Sequence, residues 1–144
     1  MPSIEPNEAQ ITELLTAADD PQAIVMINLL RYRERAAYPP SAAFEDCSGR
    51  EAYGRYSEVA LNEVAAVGGR ILWMGTVAGT VIGPDGEAWD DAVLVEYPNV
   101  AAFLGMTSRP SYQAAVVHRT AALADSRLLR TVPVMSSTAP ETSR

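Results

Sequence analysis

The chain has 144 residues, a formal net charge of −7, 48% hydrophobic residues and 20% charged residues. That length and composition suit one globular domain around one core, and no apolar run reaches the roughly 18 residues that a membrane span needs. All eleven basic residues are arginines and they are dispersed, so the clustered cations that release phosphate counterions are missing and nucleic-acid binding is not expected.

Met1–Asn7 carries Glu5 and no basic cluster, so no secretory signal is expected. Cys47 is the only cysteine and His118 the only histidine. An intrachain disulfide and a zinc site of Cys and His ligands are therefore ruled out, and a cytoplasmic setting is expected.

Asn7–Ala18 reads as a helix, with Asn7 and Gln10 as a capping box and Ile11, Leu14, Leu15 and Ala18 as its apolar stripe. Ala23–Arg31 is a short, nearly continuous apolar run, the pattern of a strand covered on both faces. Tyr32–Gly49 is too long for a simple connection and carries Tyr38 and Phe44, so it is either a cover over a pocket or a packed surface loop. Arg50–Val67 repeats apolar residues at helical steps and stops at Gly68. Arg70–Ile82 reads as a long strand, with Gly75 and Gly79 marking bends or close approaches. A turn at Gly83–Gly86 and a strand over Ala88–Tyr97 complete a hairpin. A short helix follows Pro98-Asn99, a further helix runs from Pro110 through Leu123, and a last strand covers Arg127–Val134. The tail from Met135 is rich in Ser, Thr and Pro and is expected to be disordered, which leaves one domain over residues 1–134.

After the first helix the order is β-α-β-β-α-β, an α+β ferredoxin-like arrangement with an extra N-terminal helix. Its helices cover one face of the sheet, yet the strands look apolar on both. A second copy of the same sheet is the simplest cover, and each large apolar side chain it buries contributes roughly 1.5–3 kcal/mol. A homodimer is expected, closed as a dimeric α+β barrel.

Gly68-Gly69-Arg70, the strand end Glu96-Tyr97-Pro98, Arg109-Pro110-Ser111-Tyr112 and Arg119 together resemble the DUF1330 family of the dimeric α+β barrel superfamily. The resemblance spans about Ala23 to Val134. The family usually has Ser-Pro-Glu-Tyr where this chain has Arg109 to Tyr112. It implies a two-sheet barrel with a cavity in each subunit. It implies no one reaction, since the superfamily includes cofactor-free monooxygenases, cyclases, isomerases, haem-binding enzymes and ligand-binding modules.

Four residues are candidates for catalysis. Asn28 interrupts the apolar first strand and can hydrogen-bond a carbonyl or enolate oxygen. Arg31 follows that strand and can hold a carboxylate through two parallel hydrogen bonds. Glu96 ends an apolar run, where it is either a general base or the structural partner of Arg70 or Arg119. His118 has the one ordinary pKa near neutrality. Tyr32, Tyr53, Tyr56, Trp73, Tyr112 and Arg119 are candidates for lining a substrate pocket. No phosphate-binding glycine loop, nucleophile elbow or zinc-protease motif is present. The expected function is cofactor-independent proton transfer in an enclosed, mostly apolar cavity, of isomerase, cyclase, decarboxylase or monooxygenase type. Its substrate would be a carbonyl-bearing or aromatic small molecule. The alternative is a binding or sensing module without catalysis.

Overall fold

The computed structural model describes residues 2–135, so the expected disorder beyond Met135 lies outside the described residues. In chain order the elements are α1 (Glu8–Thr16), β1 (Ile24–Tyr32), α2 (Gly49–Ala66), β2 (Arg70–Thr76), β3 (Asp91–Tyr97), α3 (Val100–Thr107), α4 (Pro110–Ala122) and β4 (Leu123–Thr131). The sheet runs β2-β3-β1-β4 with every neighbouring pair antiparallel, which is the ferredoxin-like order. Among the described residues no helix is long and apolar enough to cross a membrane.

Capping explains where two helices begin. Asn7 with Gln10, and Ser48 with Glu51, each exchange side-chain and backbone hydrogen bonds at the starts of α1 and α2. Gly49 follows because nothing larger fits. A Cβ there would stand 2.7 Å from the Ala122 carbonyl oxygen and would overlap the Arg33 backbone. Pro110 occupies the first turn of α4, where its missing N–H costs no hydrogen bond.

The parity of β1 organises the core. Ile24, Met26 and Leu30 are buried, and β3 alternates in step with Asp91, Val93, Val95 and Tyr97 buried. These side chains face α2, α3 and α4. Asn28 pairs with Val93 in the register and therefore shares the helix-covered side. The opposite side holds Ile27, Leu29 and Leu94 half-buried, with Trp73 54% and Leu129 49% exposed. No element of the described chain covers it. Trp73 lies along the sheet across Gly75, where a Cβ would meet the far edge of the indole at 2.5 Å.

Three expectations need correction. β2 ends at Thr76, not Ile82, and β3 begins at Asp91, not Ala88. Asp90 diverts the chain: its N–H donates to the Leu30 carbonyl and its carboxylate accepts from the Tyr32 N–H. The end of β1 thus claims residues that would otherwise have extended the hairpin. β4 begins at Leu123 and ends at Thr131, because Leu123 turns extended directly after α4 and pairs with Tyr32. In α1 the apolar stripe is mostly not buried. Only Leu14 packs on the core, while Ile11 and Leu15 are 44% and 56% exposed.

Candidate functional site

α2 and α4 pack as neighbours, and three ties fix their seam. At one end Glu63 accepts from the Arg109 guanidinium and from the Ser111 hydroxyl. Those bonds hold the Glu63 carboxyl below its ordinary pKa, and they place a carboxylate at the positive start of α4. In the middle the Tyr56 and Tyr112 hydroxyls meet at 2.7 Å. At the other end Arg55 donates to the Tyr38 oxygen at 3.0 Å, and the Tyr38 hydroxyl lies 2.6 Å from His118 Nδ1. Burial and the Arg55 charge hold His118 below its usual pKa. Phe44 closes this cluster 4.6 Å from the imidazole, so the loop before α2 is a cover laid on the helix seam.

On the sheet side of that seam stands a row of phenols. Tyr32 to Tyr53, Tyr53 to Tyr56 and Tyr56 to Tyr112 have ring centroids 5.5, 5.2 and 5.9 Å apart. Burial pushes Tyr53 up to about 12, against the opposing charge of Arg119. Burial and the neighbouring phenols raise Tyr56 further, and burial with the bond to Asp91 raises Tyr32. All of these groups stay protonated at physiological pH, so each keeps a hydroxyl hydrogen to donate. Asp91 closes the row: its buried carboxylate accepts from the Tyr32 hydroxyl at 2.7 Å and from Arg50 at 3.0 Å. Arg119 donates to the Ile4 carbonyl at 2.7 Å, pinning the N-terminal segment to α4.

Counting donors identifies what is unused. The Tyr56–Tyr112 pair has two hydroxyl hydrogens and one mutual bond, so one hydrogen remains free for another acceptor. Among the described residues, no side-chain polar atom sealed from solvent lacks a partner. The Tyr53 hydroxyl makes no hydrogen bond there and is therefore within reach of solvent. The same holds for the amide oxygen of Asn28, whose nitrogen makes one long bond, 3.4 Å, to the Val93 carbonyl. The expected enclosed cavity is not seen among the described residues. Two open hollows, of about 370 and 320 Å³, lie elsewhere, one under the segment before β3 beside Arg31 and Arg127, the other between α1 and β4.

The sequence-predicted residues therefore divide into three places. Asn28, Tyr32, Tyr53, Tyr56, Tyr112 and Arg119 belong to the helix-covered side. Arg31, Trp73 and Glu96 project from the opposite face, where Glu96 accepts from Arg70 at 2.8 Å as a structural pair. His118 joins Tyr38 on the helix seam. Asn28, Arg31, Glu96 and His118 are not brought together. Asp91, Arg50 and Arg55 were not singled out from sequence, and Tyr38 was named there only as an aromatic of the long loop. The adjacent acids Asp90-Asp91 heading a strand were the one local sign, because a carboxylate inside an apolar run needs partners.

A family model described as a domain of unknown function (DUF1330) matches residues 41–132. The chain is similar to the RPA0582 protein of unknown function from Rhodopseudomonas palustris, at 38% identity and a TM-score of 0.86, covering 94% of this chain and 100% of that one. It also shares its fold with a hydroxynitrile lyase from Passiflora edulis, at 15% identity and a TM-score of 0.52, covering 83% and 99%. An uncharacterized NIPSNAP domain protein from Burkholderia xenovorans shows the same fold at 15% identity and a TM-score of 0.50, covering 82% and 99%. No curated protein matches.

Proposed function

We propose that this chain, which belongs to the DUF1330 family, is a homodimeric small-molecule enzyme whose site is a crevice opening along Tyr53, Tyr56 and Tyr112. The observation that carries the reading is the pair of unspent phenolic donors beside Arg119. A carbonyl-bearing or aromatic compound entering there would present its oxygen to Tyr53 and to the free hydrogen of the Tyr56–Tyr112 pair. Donors fixed in a low-dielectric crevice stabilise an enolate or phenolate oxygen as charge develops on it. Asn28 adds an amide oxygen, an acceptor for a hydroxyl or N–H of the bound compound, from the sheet. Proton transfer then needs no cofactor, and Asp91 is the carboxylate that closes the row.

One observation favours a second reading, a binding module without catalysis. Asp91 Oδ2 already accepts from the Tyr32 hydroxyl and from Arg50, so this carboxylate has structural bonds to keep.

The homodimer belongs to the same proposal. Leu29, Ile27, Leu94, Trp73 and Leu129 form an apolar face that the chain leaves uncovered, and a second sheet of the same kind would cover it.

Native mass spectrometry of freshly purified protein, followed by a turnover panel of enolisable acids, β-ketoacids and phenols, tests the reading. Turnover lost in Tyr53→Phe and Asp91→Asn supports the enzyme. A bound compound without turnover supports the module. Neither a bound compound nor turnover defeats both.

A further inference from the structure

The connection between β2 and β3 is where composition and packing disagree most. Residues 78–88 are all exposed. At the tip Val81 is 97% exposed and its neighbour Ile82 94%. Adjacent aliphatic side chains held fully in water gain nothing from the chain that carries them.

The base of this arm is well fixed. The Val77 N–H donates to the Asp90 carbonyl at 2.9 Å, and the Asp90 N–H donates to the Leu30 carbonyl at 2.7 Å. The Arg127 guanidinium stacks on Trp89 at 5.0 Å. Arg127 pairs with Leu29 in the register, and Arg31 has the same parity, so both belong to the uncovered face. The returning limb of the arm roofs a hollow over those two arginines. The arm therefore leans across the end of β1 on the side of the uncovered sheet, away from the helices.

We propose that this segment is an embracing arm, whose Val81 and Ile82 pack on a second copy of the chain beside the apolar sheet face. The proposal rests on reading that face as the homodimer contact. A two-fold pairing uses the same patch on both partners, so each arm meets the twin as the twin's arm meets it. The sheet face alone offers a few half-exposed side chains, against the roughly 800 Å² per partner of a stable interface. Two fully exposed aliphatic residues enlarge it on the same side of the sheet.

Sedimentation equilibrium on three proteins tests this: the unaltered chain, Leu129→Glu, and the double variant V81D/I82D. The unaltered chain is expected to dimerise and Leu129→Glu to dissociate. The double variant is expected to weaken the dimer at least about tenfold, because burial of even one such side chain per protomer is worth that factor. A monomeric unaltered chain overturns the face reading and the arm with it. A dimer broken by Leu129→Glu but unchanged in V81D/I82D overturns the arm alone. Ile82→Cys supplies a second readout that needs no destabilising charge, since Cys47 is buried. Its alkylation by iodoacetamide should slow above the dimer dissociation constant. Equal rates above and below that concentration overturn the proposal.

Discussion

Replacing Asp91 by alanine removes one acceptor from two donors of different exposure. The Asp91 side chain is 3% exposed, while that of its partner Arg50 is 59% exposed. Arg50 regains water when the carboxylate goes, so its share of the loss is that of a surface pair, about 0–1 kcal/mol. The Tyr32 hydroxyl, 2.7 Å from Asp91, is half-buried and is left without its acceptor, which costs about 1–3 kcal/mol. The sum is about 1–4 kcal/mol. With a urea dependence of about 2 kcal/mol per molar, the unfolding midpoint should fall by about 0.5–2 M. Arg50→Ala leaves the buried Asp91 carboxylate without its countercharge and removes the guanidinium stacked on the Tyr32 ring, so it should destabilise as well, by about 1–3 kcal/mol. Tyr32→Phe in the Asp91→Ala background should recover part of the loss. A loss below about 0.5 kcal/mol in Asp91→Ala, or no recovery in the double variant, would refute the reasoning.

Gly49→Ala should destabilise by about 3 kcal/mol or more, or fail to fold, because the new Cβ meets backbone atoms of Arg33 and Ala122 that cannot rotate away; thermal unfolding checks it. His118 has a lowered pKa in the folded chain, so the unfolded chain binds its proton more readily. The His118 contribution is therefore complete above its ordinary pKa of 6.5, is lost as pH falls through 6.5, and levels off below the lowered folded value. His118→Asn should flatten stability between about pH 7 and pH 5 in urea melts, and an unchanged slope would contradict the burial of His118 beside the Arg55 charge. Glu63 is lowered as well. Its contribution is present above its ordinary 4.5 and drains as pH falls toward the folded value, so Glu63→Gln should lose stability at neutral pH and show a shallower acid limb.

The element order was legible because each element obeys a short-range rule: a capping box at Asn7, a proline at the start of α4, an apolar run for β1. The arm was not, because Val77, Val81 and Ile82 continue the apolar pattern of β2 and nothing local announces that Asp90 will bond β1 instead. In the site, Tyr53 with Tyr56 and Tyr112 with Arg119 could be grouped by helical spacing alone. Asp91, Tyr38 and Arg55 could not, since their partners lie on other elements far along the chain. Glu96 shows the reverse case: Arg70 or Arg119 was named as its partner from sequence, and the pair with Arg70 forms.

One strand couples the two faces of this molecule. Alternate residues of β1 from Ile24 to Tyr32 face the helices and carry Asn28, while Val25, Ile27, Leu29 and Arg31 face the uncovered side. A one-residue slip against β3 would send Asn28 out of the helix-covered side and Leu29 into it. The register therefore fixes which side chains join the phenol row and which form the uncovered apolar face in a single step. The turn to β4 fixes it from the other edge, because Leu123, fully buried, locks onto Tyr32 directly after α4. Substitutions on the outward residues of β1 should then change dimerisation without moving Asn28, and substitutions on the inward residues should do the converse. Asn28→Leu is the sharpest case, because it adds apolar volume to the helix-covered side and leaves the outer face as it was.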